Sequence, residues 1–311
     1  MKGIDGSDIF DALVIGGGPA GLTAAIYLAR SLRSVAVFDC DRPGRSDWEQ
    51  VNHNYPGFPD GISIVELGER GRRQAQQFGA QICQLEVTSL TRSGELFVAT
   101  AGRSQMRGRA VIFATGVTDR WVQFPGYEEY IGRSMHWCVV CDGYEMRGQR
   151  VLVVGDDEHA AIVATQLARF SPRVSLLIRN DVPALGESSL RALNNCGVRV
   201  KSGEIAMARS REPGMFEAVV LAGGEEIALD HLFSERGAEP NIALAKSLGL
   251  ALTDAGYIKV DTEARTSLPG VYAAGDVTRL FSHQVLTAAH EGATAAMSLD
   301  HDLFEQESGS R

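Results

Sequence analysis

The chain has 311 residues, of which 44% are hydrophobic and 22% are charged. This length suits two domains with cores of their own, and the composition excludes a disordered chain, a coiled coil and a small disulfide-stapled scaffold. Thirty basic and 39 acidic residues give a formal net charge of −9. Because nucleic-acid phosphates attract basic surfaces, this sign argues against nucleic acid as a partner.

The N-terminal segment does not indicate export. Its first 11 residues include three aspartates, whereas a signal peptide begins with basic residues and continues with an apolar stretch. Residues 12–29 carry no charge and approach the length of a membrane span, but a cluster of glycines and a proline interrupts them. We therefore predict a strand, a tight turn and a helix there, no membrane segment, and a cytoplasmic protein.

The cysteines are few and odd in number, so they do not predict a structural disulfide framework. They are Cys40, Cys83, Cys138, Cys141 and Cys196. Only Cys138 and Cys141 are close in sequence, as a C-x-x-C, and no second such pair completes the four ligands of a metal site. A redox role is the favoured interpretation. The alternative is two buried small residues that happen to fall three positions apart.

A repeat relates two parts of the chain, since residues 11–39 align with residues 150–178 at a constant offset. Each copy has an apolar strand, a turn that opens with glycine, a helix and a second apolar strand, which predicts a βαβ unit. In the first copy, Gly16, Gly18 and Gly21 form G-x-G-x-x-G after the strand, and Asp39 ends the next strand. This pattern predicts a dinucleotide site, with the pyrophosphate at the helix N-terminus and a ribose on Asp39.

The second copy keeps the scaffold but changes the residues of the turn. Asp157 replaces the glycine that lets a pyrophosphate approach, and Asp156 and Glu158 flank it with further carboxylates. Ile178 stands where the first copy has its acidic residue, and Arg179 is the nearby candidate for a 2′-phosphate. Repulsion among the carboxylates predicts a degenerate or lost nucleotide site. The alternative is a variant turn that still binds nucleotide.

Several motifs together resemble those of the low-molecular-weight thioredoxin reductase family over nearly the whole chain. They are GGGPAG at 16–21, NYPGFPDGIS at 54–63, FATG at 113–116, CVVCDG at 138–143 and GVYAAGDV at 270–277. The resemblance implies an α/β fold with two tandem Rossmann-like, doubly wound nucleotide-binding domains. It implies an FAD-binding domain from residues 1–118 and 240–311, an inserted NADPH-domain-like module at 119–239 that carries the C-x-x-C, and a homodimer.

The resemblance also implies which residues bind FAD. They are Gly16, Gly18, Pro19, Ala20, Gly21, Asp39, Asn54, Val87, Ala114, Thr115, Gly116, Gly275, Asp276, His283, Gln284 and Val285. His283 is a departure, because the family has Arg-Gln-Ala at 283–285. This segment is expected to open a helix whose N-terminal amides stabilise negative charge on the reduced flavin.

Three catalytic residues follow from the resemblance. Cys138 is the interchange thiol that attacks the substrate, Cys141 is the thiol next to the flavin, and Asp142 is the acid that exchanges a proton with a thiolate. An alternative role for Asp142 is helix N-capping. His136 and Trp137 depart from the family pattern and are expected to shape substrate access, and packing is the alternative role for Trp137.

The electron donor is where the chain departs most from the family. The family's nicotinamide signature has His-Arg-Arg and a further arginine, and the corresponding residues here are Ile178, Arg179, Asn180 and Ala184. Asn and Ala do not replace a guanidinium at a phosphate, so NADPH is predicted not to be the donor. We expect a pyridine-nucleotide-independent branch that uses a ferredoxin-type donor and reduces a thioredoxin-like protein.

Three other interpretations remain open at this point. One is a dithiol oxidase that passes electrons from a small-molecule dithiol to oxygen, with His290 as a candidate base. Another is an NADPH-dependent thioredoxin reductase with an atypical nucleotide site. The third, a non-catalytic FAD-binding scaffold, is disfavoured because both cysteines and Asp142 are present.

Overall fold

The computed structural model of the protein describes residues 9–40, 44–48, 50–179 and 185–309. These residues form two compact units. The first unit comprises the described residues of 1–47, 65–118 and 240–311, and the second comprises those of 48–64 and 119–239. The boundaries predicted from the sequence place residues 48–64 in the first domain, whereas the structure places them in the second unit.

The helices are few and most are short. They are α1 (Pro19–Arg30), α2 (Ile64–Gln77), α3 (Val139–Asp142), α4 (Glu158–Leu167), α5 (Glu187–Asn195), α6 (Ala243–Ser247) and α7 (Val285–Gly309). Single 3₁₀ turns cover Tyr127–Tyr130 and Asp276–Thr278. The strands are β1 (Ile9–Ile15), β2 (Val35–Phe38), β3 (Val51–Asn52), β4 (Ile62–Ser63), β5 (Gln81–Cys83), β6 (Val87–Ser93), β7 (Leu96–Ala101), β8 (Ser104–Phe113), β9 (Val117–Asp119), β10 (Met135–His136), β11 (Val151–Val154), β12 (Val174–Ile178), β13 (Arg199–Ser202), β14 (Ile205–Glu212), β15 (Met215–Leu221), β16 (Glu226–Ala228), β17 (His231–Ser234), β18 (Ala238–Pro240) and β19 (Val271–Ala273).

The first unit is built on a seven-stranded sheet of order β5-β2-β1-β8-β7-β6, in which β19 also pairs with β8. Strands β1, β2, β5, β8 and β19 run parallel, and the hairpin β6-β7 is antiparallel. The chain order reverses between β1 and β8. In doubly wound sheets, ligands bind outside the carboxyl ends of the strands at such a reversal. The loops after β1 and β8 are therefore the expected binding crevice of this unit.

Helices α1 and α7 pack against each other on one face of this sheet. Their contact depends on small residues, because Ala24 and Ala25 are fully buried and a Cβ at Gly292 would lie 2.1 Å from the carbonyl oxygen of Ala20. Only glycine allows the two helix backbones to come this close. This contact holds the long α7 against the helix that follows the first glycine turn.

The second unit contains a five-stranded parallel sheet of order β10-β17-β11-β12-β13 and a three-stranded antiparallel sheet β14-β15-β16. The order β13-β12-β11-β17 repeats the order β5-β2-β1-β8 of the first unit. Strands β11 and β12 are buried at every position, as expected for a parallel sheet covered on both faces. The predicted α/β fold with two Rossmann-like domains is confirmed.

The uncharged segment 12–29 forms the end of β1, a glycine turn and most of α1, which confirms the predicted strand, turn and helix. Within the described ranges, no helix is both long enough and apolar enough to cross a membrane. The same part of the chain holds no group of three or more His, Cys, Asp or Glu side chains arranged to bind a metal ion.

Candidate active site

The turn after β1 accepts only glycine at its key positions. Gly16 has a φ of +113°, and a Cβ there would lie 2.1 Å from the carbonyl oxygen of Ala114. A Cβ at Gly21 would lie 1.9 Å from the carbonyl oxygen of Gly16. At Gly18, by contrast, a Cβ would meet only Ser46 Oγ, at 3.9 Å, so the space beside this residue is open.

Helix α1 begins directly after this turn, with Pro19 at its first position and Gly18 at its N-cap. No side chain of the described residues caps its first backbone amides. Free amides at a helix N-terminus, together with the open space beside Gly18, fit a pyrophosphate.

Asp39, directly after β2, is held by two partners. Its Oδ1 accepts a hydrogen bond from the Gly17 amide at 3.2 Å, and its Oδ2 accepts one from Arg72 Nη2 at 2.9 Å. Arg72 lies on α2, and the sequence analysis did not identify it. The carboxylate is therefore fixed beside the glycine turn, where it can accept the hydroxyls of a ribose.

The turn after β8 is locked by a residue that the sequence analysis also missed. Asn241 Nδ2 donates to the Thr115 carbonyl at 2.9 Å, and Thr115 Oγ1 donates to the Asn241 carbonyl at 2.7 Å. The Ala114 amide donates to the Ile15 carbonyl at 2.8 Å, which ties this turn to the end of β1. Gly116 takes the left-handed conformation with a φ of +63°.

The turn after β19 presents a backbone that only glycine adopts readily, since Gly275 has a φ of +82°. Its amide donates to Glu291 Oε2 at 2.7 Å, and Glu291 is buried on α7. The next residue, Asp276, pairs with Arg45 Nη1 at 2.9 Å. Glu291 and Arg45 therefore hold this turn, and neither was identified from the sequence.

Helix α7 begins at Val285, directly after His283 and Gln284. His283 Nε2 lies 2.8 Å from the Arg279 carbonyl oxygen, so this nitrogen carries the hydrogen. His283 Nδ1 lies 4.0 Å from Asp276 Oδ2. The imidazole is thus held by its own loop.

Most of the residues predicted to bind a cofactor lie in the first unit, at the carboxyl ends of β1, β2, β8 and β19, which are neighbours in one sheet. Val87 begins β6 of the same sheet and is buried. Asn54 lies instead in the second unit, where its Nδ2 donates to the Val140 carbonyl at 3.3 Å.

The C-x-x-C of the second unit is a disulfide between Cys138 and Cys141. Cys138 is the extended N-cap of α3, and its carbonyl accepts hydrogen bonds from the amides of Cys141 and Asp142, both at 3.1 Å. Val140, between the cysteines, is 73% exposed. A disulfide in a tight turn with an exposed neighbour suits thiol–disulfide exchange, because an attacking sulfur must reach it.

Asp142 is buried at the end of α3, so its predicted alternative role as a helix N-cap is wrong, because Cys138 occupies that position. Gln50 Nε2 donates to both carboxylate oxygens of Asp142, at 3.0 and 3.2 Å. His136 Nδ1 lies 3.5 Å from Asp142 Oδ1. Gln50 was not identified from the sequence, because 92 residues separate it from its partner.

The three tryptophans of the chain form one cluster. The ring of Trp137 makes an edge contact with Trp121 at a centroid distance of 5.1 Å, and Trp121 makes another with Trp48 at 6.1 Å. Trp137 therefore has a packing role, which was one of its two predicted interpretations.

Known proteins resemble this chain over most of its length. Residues 10–296 match the family described as pyridine nucleotide-disulphide oxidoreductase. The chain belongs to this family. Thioredoxin reductase of Treponema pallidum is 34% identical over 293 residues, which cover 92% of this chain and 95% of that protein. NADPH-dependent thioredoxin reductase 3 of Arabidopsis thaliana is 34% identical over 96% of this chain and 59% of that protein.

A crystal structure of thioredoxin reductase from Streptococcus pyogenes superposes on this oxidoreductase with a TM-score of 0.88. The two are 30% identical, and the superposition covers 96% of this chain and 99% of the other. The protein is a thioredoxin reductase-like, FAD-dependent thiol–disulfide oxidoreductase. The predicted family and enzyme class are confirmed. The open glycine turn, the uncapped start of α1 and the fixed Asp39 fit FAD.

The second glycine turn of the oxidoreductase differs from the first in that its carboxylates are bound by the chain itself. Asp157 Oδ1 accepts a hydrogen bond from the Ala160 amide at 3.0 Å and so caps α4. Glu158 Oε1 accepts one from the Gly186 amide at 2.5 Å, and its other oxygen accepts one from Ser189. Two of the three carboxylates thus have polar partners within their own unit.

The third carboxylate, Asp156, is held by two arginines. It accepts hydrogen bonds from the amide and Nε of Arg179, at 2.8 and 2.7 Å, and it pairs with Arg236. Burial alone would raise the pKa of Asp156, but these partners hold it below its usual value. The predicted repulsion among the three carboxylates is therefore offset. Asn180 and Ala184 lie outside the described residues.

Proposed function

We propose that this oxidoreductase passes electrons between FAD, the Cys138/Cys141 dithiol and a thioredoxin-like protein disulfide, without NADPH as donor. The observation that carries the donor part is the turn after β11. Its carboxylates occupy the start of α4 and are bound by the chain's own amides and arginines. A pyrophosphate at that helix N-terminus would have to displace the Asp157 cap and approach Asp156.

The residues that could bind a nicotinamide ribose are also poorly suited to it. Ile178 is buried and cannot accept a hydrogen bond from a ribose hydroxyl. Arg179, the candidate for a 2′-phosphate, is already committed to Asp156. The Arabidopsis relative is named as NADPH-dependent, so this part of the proposal depends on residues of this chain alone.

FAD, when bound, supplies or accepts the electron pair that converts the disulfide to a dithiol and back. We assign it to the first unit, where the α1 N-terminus after Gly18 would take the pyrophosphate and Asp39 a ribose. The remaining residues of the proposed site are Pro19, Ala20, Val87, Ala114, Thr115, Gly116, Gly275, Asp276, His283, Gln284 and Val285. The family resemblance also implies Asn54, which lies in the second unit, where its side chain contacts the C-x-x-C turn.

The arrangement of the second unit supports a dithiol reaction of the following kind. The Cys138 thiolate attacks the substrate disulfide, forms a mixed disulfide and releases one substrate thiolate, which takes a proton from Asp142. Cys141 then loses its proton, attacks the sulfur of Cys138 and releases the second substrate thiolate, which takes a proton from solvent. Two electrons and two protons pass to the substrate. The thioredoxin reductase relatives support a thioredoxin-like protein as that substrate.

The experiment that tests the donor is an anaerobic titration of the purified holoprotein with NADPH and then NADH, following the absorption band of oxidised flavin. We expect no loss of the band with either nucleotide, and full loss with dithionite or a small dithiol. Rapid stoichiometric loss with NADPH would contradict the donor part and identify an NADPH-dependent thioredoxin reductase. The expected result would direct the search to ferredoxin-type donors or to dithiol substrates.

A further inference from the structure

Within the second unit, a row of polar side chains leads away from Asp142. The reaction described above uses only Asp142 from this row. His136 lies next to Asp142 and is 5% exposed, and its Nε2 lies 3.1 Å from His231 Nδ1. His231 Nε2 lies 2.9 Å from Gln149 Oε1. Burial of two imidazole rings beside a carboxylate destabilises the folded protein unless their nitrogen atoms are hydrogen-bonded. The position of each ring hydrogen decides whether these bonds can form.

Those positions follow from the far end of the row. Gln149 Nε2 donates to the Glu145 carbonyl at 3.4 Å, which leaves its Oε1 as the acceptor that faces His231. His231 Nε2 must then carry a hydrogen, and in a neutral ring His231 Nδ1 is an acceptor. The hydrogen between the two rings therefore belongs to His136 Nε2, and His136 Nδ1 has a lone pair.

This lone pair faces Asp142 Oδ1 across 3.5 Å. Among the described residues, His136 Nδ1 has no hydrogen-bond partner. Two buried acceptors that face each other repel, and a single proton between them removes the repulsion. Gln50 donates to the carboxylate from elsewhere and does not fill this gap. One further proton is therefore needed between His136 Nδ1 and Asp142 Oδ1.

We propose that Asp142 and His136 share one proton, and that His136 and His231 are positioning residues that keep Asp142 ready to protonate a leaving thiolate. This inference rests on the proposed dithiol reaction. The pair gives its proton to the first substrate thiolate. Cys138 has released its proton to solvent in becoming the attacking thiolate. Cys141 then gives its own proton to the pair, attacks Cys138 and expels the second substrate thiolate, which takes a proton from solvent, so the pair holds its proton again in the oxidised enzyme. The enzyme dithiol thus loses two electrons and two protons in all.

The charges around His231 confine the proton to Asp142 and His136. Burial, together with the neighbouring charge of His136, lowers the pKa of His231 to about 4, so this ring is neutral near neutral pH. Asp230 and Arg211 also face His231, and their opposite signs act against each other. His136 packs its remaining side near the ring of Phe233, which does not titrate.

The test compares two disulfides that differ in their need for an acid. Holoprotein reduced in advance is mixed anaerobically with 2-hydroxyethyl disulfide, whose leaving thiolate is basic, or with an aryl disulfide such as dithiobis(nitrobenzoate), whose leaving thiolate needs no proton. We expect His136→Leu and His231→Asn to slow the first reaction about tenfold, less than the roughly hundredfold or greater contribution of a general acid, because Asp142 itself remains. The second should change less than about twofold.

His231→Asn is informative because its amide can donate to His136 Nε2. With Nε2 accepting that bond, the His136 hydrogen moves to Nδ1. There it stabilises the ionised form of Asp142 rather than the protonated form that acts as the acid. The matched control is His301→Asn, on the exposed face of α7, which should change neither reaction. Equal slowing of both disulfides, or of neither, would overturn the assignment. If the unaltered protein reacts with neither disulfide, the proposed dithiol reaction itself fails.

A second measurement decides the matter even if His136→Leu does not fold. Nitrogen NMR of the oxidised holoprotein labelled in its histidines reports which ring nitrogen carries hydrogen. We expect His231 to be neutral with hydrogen on Nε2, and His136 to carry hydrogen on Nε2 while Nδ1 shares its proton with Asp142. A neutral His136 with its only hydrogen on Nδ1 would show that the carboxylate merely accepts a bond from the ring, and would overturn the shared proton.

Discussion

Arg72 Nη2 and Nε both donate to the same oxygen of Asp39, at 2.9 and 3.3 Å. The other oxygen of Asp39 accepts the Gly17 amide. The acidic residue of the first dinucleotide fold is therefore oriented from two sides before any cofactor binds. A carboxylate whose rotamer is already fixed loses less conformational entropy when a ligand binds to it.

Replacing this arginine should weaken FAD binding. We expect Arg72→Gln to raise the dissociation constant of FAD about three- to tenfold, since a hydrogen bond to a charged group contributes about 1.5 kcal/mol and 1.4 kcal/mol is a factor of ten. The measurement is quenching of flavin fluorescence as the apoprotein is titrated. Arg70→Gln is the control, because Arg70 pairs with the exposed Glu66 on the same helix. Equal effects of both variants would contradict the role of Arg72.

The residues around Asp39 show how far the sequence could predict this site. The glycine turn and Asp39 are local features of one βαβ unit, so their spacing alone predicted the fold and the dinucleotide turn. Arg72 comes from α2, 33 residues after its partner. From the sequence it is one of three arginines on a helix, and no spacing rule separates the one that faces inward from those that face solvent.

The first glycine of the turn should not tolerate any side chain. In Gly16→Ala the new Cβ would overlap the Ala114 carbonyl oxygen, at 2.1 Å, in a backbone conformation with a φ of +113°. We expect the free energy of unfolding to fall by more than about 2 kcal/mol and bound FAD to be lost. Both are measured on the purified protein, by denaturant titration and by flavin absorbance.

Gly102→Ala separates backbone strain from overlap. Gly102 has a φ of +60°, and a Cβ there would have no neighbouring atom within 4 Å, so only the left-handed conformation is penalised. That penalty is about 1 kcal/mol, and FAD content should be unchanged. A Gly16→Ala protein that retains FAD and loses no more stability than Gly102→Ala would show that the turn can shift.

The roles of the two cysteines should be separable by trapping. In Cys141→Ser the Cys138 thiolate can still attack a substrate disulfide, but no thiol remains to resolve the product. A stable mixed disulfide with a thioredoxin-like protein should accumulate, visible by mass spectrometry, and turnover should fall to background. Cys138→Ser should form no such adduct, and Cys196→Ser, which removes an exposed cysteine, should behave as the unaltered protein. An adduct through Cys141 would reverse the assignment.

The charge balance at the second glycine turn could not be predicted from the sequence. Adjacent carboxylates at 156–158 predicted repulsion, because their neighbours in sequence carry no compensating charge. Part of the compensation comes from Arg236, which is 80 residues from Asp156 and reaches it because β11 and β17 are neighbours in the sheet. Gln50 and His231 near Asp142 are similar cases, since only the fold brings them to the C-x-x-C.

His231 should make the stability of the protein depend on pH. Its pKa is about 4 in the folded protein, lowered from 6.5 by burial and by the nearby His136. Between these two values the unfolded chain binds a proton that the folded protein does not, so stability falls as the pH decreases from 6.5 towards 4 and this contribution is constant below that. Above pH 6.5 the ring is neutral in both states and the effect is absent.

The effect is measurable by denaturant titration at pH 7 and pH 5. At about 1.4 kcal/mol per pKa unit, we expect His231 to account for a loss of roughly 2 kcal/mol between these two conditions. His231→Asn should remove most of that loss, because asparagine does not titrate. His301→Asn should retain it, since His301 is exposed. An unchanged pH dependence in His231→Asn would show that folding does not lower the pKa of His231, and would contradict the confinement of the shared proton to Asp142 and His136.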